Sequence, residues 1–425
     1  MTRAHTPGTA FVLTHESDPH RTARSLNIIA LSITRSLGRH GVRVIRVHPN
    51  ELECGLTSRY CHGVEISPDL YESEEALLEF LLALERVPGP RVLFPASDDC
   101  AAFVAHHRDA LARVFALPVA DRAVMESILD KRRQYGLAER LGLPIPETHF
   151  PTDAAEARTI ASRARSFPYV IKPLVSHRWR LKRMAAVSGG RKAIVVHGPA
   201  ELVTEYERIR ALDPEVMVQE IVPGEDERLV TFLSYLDAGS RPLGHCIRKK
   251  IRQHPIDFGH CMVTVSCADD AVKDQSLRFL RGIGYRGLSG IEWKRDPRDG
   301  ALRLIELNAR AVQTIGIAAA CGVDLPWIAY QDQIGRPPAP LDGFEPGVKW
   351  AWITGDLRNL RHVGTSPVAL AAWVRSIAGA RTHAVFAADD LKPIRTVLGK
   401  SLRGAMRRVF APLRALPSVA RRTAS

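Results

Sequence analysis

Residues Gly287–Arg310 read GLSGIEWKRDPRDGALRLIELNAR. Two β-prone runs flank the turn-forming segment Asp296–Gly300, so the stretch predicts a hairpin. Glu292 lies on its first strand, and Glu306 and Asn308 lie on its second. Side chains alternate along a strand, which puts Glu306 and Asn308 on one face. Both carboxylates sit among Ile, Leu and Trp, where a bare charge is costly. Two carboxylates and an amide oxygen on neighbouring strands are hard donors that suit Mg²⁺ bridging phosphates. The alternative is a surface hairpin with polar residues on its wet face.

Upstream, short strands at Ala10–Leu13, Val42–Val47 and Arg91–Phe94 alternate with helices at Ile28–Leu37, Ala76–Leu84 and about 101–114. That alternation predicts parallel pairing in a doubly wound α/β domain, with ligands at the carboxyl ends of its strands. The loops after Leu13 and Phe94 are therefore where substrate contacts are sought. Thr14, His15, Ser25, Asn27, Ser97 and Asp98 are the polar candidates there. A long helix is expected over Ala123–Leu141, carrying Asp130 and Lys131. Strands are expected at Tyr169–Lys172, Ala193–His197, Val216–Val222, Leu229–Leu236, Cys261–Val265, Leu288–Lys294 and Leu302–Leu307, with a helix at Glu201–Ala211. Pro337–Pro340 closes this second unit.

The chain has 425 residues, 45% hydrophobic and 25% charged, which excludes disordered, collagenous and disulfide-scaffold classes. Seven scattered cysteines suit reduced thiols in a cytoplasmic protein better than a disulfide framework. No apolar run approaches a bilayer span, and the amino terminus lacks the features of a secretory signal. The net charge of +13 suggests nucleic acid until it is located. Nine Lys/Arg and no acid fall in residues 391–425, and taking nine from +13 leaves +4 for the first 390. The basicity belongs to a tail, and no nucleic-acid partner is expected of the body. Gly282–Gly287 fits GxGxxG, but a helix precedes it and a strand follows, the reverse of a dinucleotide fingerprint. Cys54 and Cys61–His62 lack a partner at metal-ligand spacing. No nucleophile elbow is present.

The assembly of motifs resembles the ATP-grasp superfamily of carboxylate-activating ligases over roughly residues 10–350. It rests on Asp130-Lys131, Val170-Ile171-Lys172-Pro173, Gln219–Gly224, Glu292 and Glu306–Arg310, in that order. Arg252–Gly259 and Glu292–Asp296 look like the D-aspartate-ligase-like, carboxylate–amine ligase branch. The resemblance implies a doubly wound parallel-sheet (pre-ATP-grasp) domain over 1–120. It implies a two-lobed ATP-grasp domain of mixed α/β and α+β character over 121–338, with lobes at about 121–215 and 216–338. A carboxyl-terminal extension covers 339–425. It also implies a ligase that activates a carboxylate as an acyl phosphate and joins it to an amine, using ATP with one or two Mg²⁺ or Mn²⁺, and a homodimer.

The same resemblance assigns roles by position. Lys131, Lys172 and Lys192 would reach the phosphates. Glu220 and the Val222 backbone would hold adenine, and Glu227 the ribose. Glu292, Glu306 and Asn308 would hold metal. Arg310 would face the transferring phosphoryl group, with Arg252 a further catalytic cation and Arg248 and Lys250 beside it. The sequence departs from the family where Asn308-Ala309-Arg310 replaces Asn-Pro-Arg, and where a basic run, Ser176–Arg183, stands in place of a clear glycine-rich loop. Carboxyphosphate chemistry is a rival without support from any carrier domain, and a non-catalytic ATP sensor is the other alternative. Ile394, Leu398, Leu402, Met406, Val409, Phe410 and Leu413 form an apolar stripe flanked by arginines. Such a segment either lies on an anionic membrane surface or docks on the body.

Overall fold

Four short apolar strands build the first sheet: β1 (Thr9–Leu13), β2 (Arg43–His48), β3 (Gly63–Ile66) and β4 (Arg91–Pro95). They are all parallel, in the order β3–β2–β1–β4. Helices α1 (Ile28–Arg39), α2 (Glu74–Leu82) and α3 (Asp98–His106) accompany them. α1 starts where the Ala30 amide donates to Asn27 Oδ1 at 2.9 Å, and α3 where the Cys100 amide donates to Ser97 Oγ at 3.1 Å. The computed structural model describes residues 8–15, 26–51, 53–164, 166–175, 179, 193–255, 258–360 and 366–400. Ser25, Lys192 and the tail beyond residue 400 lie outside them.

The helix expected over Ala123–Leu141 is two helices, α4 (Arg122–Leu129) and α5 (Lys131–Arg140). Asp130 breaks it: its backbone is extended and its carboxylate accepts the Arg133 amide at 3.0 Å, capping α5. Next comes a small sheet, β5 (Thr148–His149), β6 (Tyr169–Pro173), β7 (Ile194–Val196) and β8 (Val216–Glu220), in the order β5–β8–β6–β7. Helices α6 (Ala154–Arg163) and α7 (Pro199–Arg210) pack on it through Ala157, Leu202, Tyr206 and Ile209. β8 pairs antiparallel with β6, so residues 216–220 belong to the small sheet.

The large sheet contains β9 (Leu229–Leu236), β10 (Pro242–His254), β11 (His260–Ser266), β12 (Gly287–Arg295) and β13 (Leu302–Asn308). Its order is β13–β12–β9–β10–β11, extended by two strands from beyond residue 338, β14 (Lys349–Ala351) and β15 (Ala380–His383). The expected extension is thus partly woven into the body. Helix α8 (Asp270–Gly282) covers one face, and buried Trp293 donates to Ser276 Oγ at 2.8 Å. After α8 the chain turns through Gly284 (φ +64°) and Gly287 (φ +102°). A Cβ on Gly287 would lie 2.6 Å from the Pro118 carbonyl oxygen, so these glycines serve a turn, as their order in the sequence implies. Helices α9 (Gly316–Ala320) and α10 (Leu325–Gln333) join α1 in a second core. Residues 392–400 are helical, and Ile394 and Val397 pack against that core. Among the described residues no helix is long and apolar enough to cross a membrane.

Candidate active site

β13 is the edge of the large sheet, and an unpaired edge must be covered. Helix α5 covers it. Buried Gln134 accepts the Leu307 amide at 3.2 Å, and Tyr135 Oη donates to the Ile305 carbonyl at 2.7 Å. This docking sets Lys131, one turn back, over the next side chain, and its Nζ lies 2.7 Å from Glu306 Oε1. Burial alone would lower the Lys131 ammonium, but Glu306 outweighs it and the group is held above its ordinary value. Burial would likewise raise Glu306, yet Lys131 holds that carboxylate below its ordinary value.

The hairpin pairs Glu306 with Glu292, Glu292 with Thr231 on β9, and Thr231 with Arg248 on β10. Cross-strand partners share a face, so one polar row runs over four strands. Asn308 pairs with Gly290 one step along. A side chain at 290 would press on Val312, whose Cγ1 lies 2.6 Å from the position of a Cβ there. Lys250 Nζ is 3.4 Å from Glu292 Oε2 and donates to Gln253 Oε1 at 3.2 Å, with only 5% of its side chain exposed. Arg248 is also buried, donating through Nη1 to Cys261 Sγ at 3.5 Å. Arg310 Nη2 donates to Asp98 Oδ2 at 2.7 Å and to Asn308 Oδ1 at 3.2 Å. Among the described residues the Nε atoms of Arg248 and Arg310 and the Thr231 hydroxyl are buried without a partner.

Lys172 approaches from the small sheet and donates to Gln219 Oε1 at 3.2 Å. Burial, reinforced by repulsion from Lys131 and only partly countered by Glu306 and Glu292, pushes it down to about 8. Five basic side chains (Lys131, Lys172, Arg248, Lys250, Arg310) thus face three carboxylates (Glu292, Glu306, Asp98). An excess of buried positive charge with unfilled donors fits a polyanion. Two carboxylates and an amide oxygen, facing one way and contacted by lysine or arginine, fit a hard divalent ion between protein and that anion.

Three expectations need correction. Arg252 does not join this group: a bulge at Ile251 turns it toward buried Asp356, to which Nε donates at 2.8 and 3.1 Å. Arg248 and Lys250 face the row instead. The Glu220 carboxylate is already engaged, accepting the Glu147 amide at 3.0 Å and pairing with Arg298 at 2.8 Å. Of the described polar loop candidates in the first domain, Asp98 is the one that reaches this cluster. Asn27 and Ser97 cap helices, Thr14 is buried against Arg46, and the His15 ring is buried, with Nδ1 accepting the Leu70 amide at 3.1 Å. Val222 is buried beyond β8, and Glu227 is exposed on the turn Asp226–Arg228.

Sequence reasoning missed Thr231 and Gln219, and it missed strand β10 altogether. The basic run Arg248–Arg252 masks its periodicity. The signal was present as alternation, with Cys246, Arg248 and Lys250 on one side and Ile247, Lys249 and Ile251 on the other.

No protein-family model matches this chain. It is 23% identical over 287 residues to the D-aspartate ligase of Enterococcus faecium, covering 65% of this chain and 67% of that one. It is 28% identical over 224 residues to the carbamoyl phosphate synthase large chain of Gemmatimonas aurantiaca, covering 51% of this chain and 19% of the relative. The chain therefore spans about two thirds of the first relative and about a fifth of the second. Among solved structures it resembles the ADP complex of purK, N5-carboxyaminoimidazole ribonucleotide synthetase. That match has a TM-score of 0.60 at 12% identity, over 85% of this chain and 88% of that one.

Proposed function

The chain belongs to the ATP-grasp superfamily, and from that premise we propose that it is an ATP-dependent ligase joining a carboxylate to an amine. The observation that supports this most is the single face on which Glu292, Glu306 and Asn308 meet a surplus of buried cations. In the reaction a carboxylate oxygen of the substrate attacks the γ-phosphorus of ATP, and the bond to ADP breaks. The amine nitrogen then attacks the acyl carbon, phosphate leaves with the bonding pair, and the amine sheds its extra proton. No protein side chain becomes a covalent intermediate.

The residues act by position and charge. Lys131 and Lys172 flank the phosphates from α5 and β6. Arg248 and Lys250 line the floor of the cleft. Arg310, held by Asp98, offers its unpartnered Nε to the developing charge. Glu292, Glu306 and Asn308 would hold one or two Mg²⁺ or Mn²⁺ ions, which when bound offset phosphate charge and polarise the transferring group. Adenine would rest against the strand end at Glu220–Val222, with Glu227 on the rim for the ribose.

The test is ADP release with ATP, Mg²⁺ and pooled carboxylates and amino acids. A ligase releases ADP only when both a carboxylate and an amine are present. Release with neither, or none with any pool, would sink the assignment, and the latter is what a non-catalytic sensor predicts. The juxtaposed carboxylates and cations support the ligase reading over the sensor.

A further inference from the structure

Two histidines stand side by side where α3 ends. His106 is its last residue, and His107 follows with its backbone at φ −97° and ψ 22°, before one further helical turn over Arg108–Leu111. Consecutive residues within a helix point about 100° apart. The change of backbone at His107 relaxes that divergence, and the two rings meet edge to face, with centroids 4.7 Å apart and planes at 86°. The His107 ring is braced by Phe103, whose centroid is 4.9 Å away and whose side chain is buried in the core.

A third group comes from another helix. Ser73 caps α2, accepting the Ala76 amide at 3.1 Å, and this sets Glu74 in the first turn. Glu74 Oε1 lies 2.8 Å from His107 Nε2. One ligand atom from each of Glu74, His106 and His107 lies within 4.8 Å of the other two. A hydrogen bond accounts for Glu74 and His107 but leaves His106 without a role. Among the described residues the His106 ring nitrogens have no hydrogen-bond partner.

A divalent ion uses all three. Two imidazoles and a carboxylate are a donor set for zinc, whereas Mg²⁺ and Ca²⁺ take oxygen alone. Tetrahedral zinc, with bonds of about 2.0–2.1 Å, sets its ligand atoms about 3.4 Å apart. The 2.8 Å contact must therefore open and the wider spacings close by up to about 1.4 Å. Side-chain rotation supplies that, because His106 is exposed and 45% of the Glu74 side chain is exposed. The end of α3 also favours a cation, since its last carbonyls point there.

We propose that Glu74, His106 and His107 form a binding site for Zn²⁺, with water completing four-coordination, and that the ion staples the start of α2 to the end of α3. The other end of α3 carries Asp98, which holds Arg310, about 12 Å away at about 1.5 Å per helical residue. The zinc and the divalent ion of the cleft are therefore separate ions on separate ligands.

The test is calorimetric titration of the full chain with zinc chloride in excess Mg²⁺. The wild type should bind one more Zn²⁺ than His106→Gln, with a Kd on the order of 1 µM, weaker than a closed four-ligand site. His107→Gln and Glu74→Gln should each weaken this binding at least about tenfold, and Glu306→Gln in the cleft should leave it unchanged. Zinc should raise the melting temperature of the wild type and not that of His106→Gln. Co²⁺ in its place should give visible bands without the near-ultraviolet band of a thiolate ligand. His106→Gln removes an exposed ring, so the test stands if His107→Gln does not fold. Equal zinc uptake by the wild type and His106→Gln overturns the proposal, as does its loss in Glu306→Gln. A thiolate band, or a melting temperature that zinc leaves unmoved, overturns it too.

Discussion

Glu306 lies 2.7 Å from Lys131 Nζ and is one of the three side chains proposed to hold a divalent ion. Glu306→Gln keeps the shape but removes the charge, and should lower Mg²⁺-dependent ADP release at least about a hundredfold while the melting temperature changes little. Turnover at the wild-type rate would remove Glu306 from the metal site. Lys172 gives a pH signature. Burial holds its ammonium at about 8 in the free protein, against 10.5 for an ordinary lysine. Between these values the unfolded chain binds the extra proton, so this group's penalty on stability shrinks as pH rises through that window. A bound triphosphate reverses the balance and draws the proton back. Nucleotide binding should therefore take up protons near pH 8 and weaken above it by up to about tenfold per unit. Calorimetry in buffers of different ionisation enthalpy reads this, and Lys172→Arg should abolish it. Lys172 and Glu306 were legible from their motifs. The depressed lysine was not, because it depends first on burial in the folded cleft and then on Lys131, forty-one positions away in sequence, arriving beside it.

At the scale of elements, β10 distinguishes two arginines that look alike in sequence. Arg252 follows the bulge and holds Asp356, whose side chain has no exposure. Arg248 precedes the bulge and faces the polar row. Arg252→Met should leave a buried carboxylate uncompensated and cost about 3–5 kcal/mol of stability, read by denaturant melts. Arg248→Met should instead reduce turnover with a far smaller loss of stability. The opposite pattern would restore Arg252 to the chemistry. A one-residue bulge cannot be read from composition, yet it decides which side chains of a strand face the ligand. The break of the expected Ala123–Leu141 helix at Asp130 is of the same kind. Asp130 is a good capping residue, but the docking of α5 on the edge of β13 fixes where the new helix starts.

At the scale of the whole molecule, Asp98 links the first sheet to the polar cluster, its Oδ2 lying 2.7 Å from Arg310 Nη2. Asp98 opens α3 at the carboxyl end of β4, as the parallel-sheet rule places ligand-facing groups. Asp98→Asn should keep the hydrogen bond but lose the charge that steadies Arg310. We expect kcat to fall about a hundredfold with little change in KM for ATP. A change confined to KM would place Asp98 with nucleotide binding instead.

The amino-acid sequence alone determined the alternation of elements, the hairpin with its carboxylates and the lysines that punctuate the strands, because these follow from local periodicity and turn chemistry. Tertiary structure decided which polar residues converge. Among the described residues Arg248 rather than Arg252 faces the polar row, Glu220 pairs with Arg298, and Asp98 reaches across to Arg310. Pairing register, bulges and edge docking set those distances, and they depend on segments far apart in the chain.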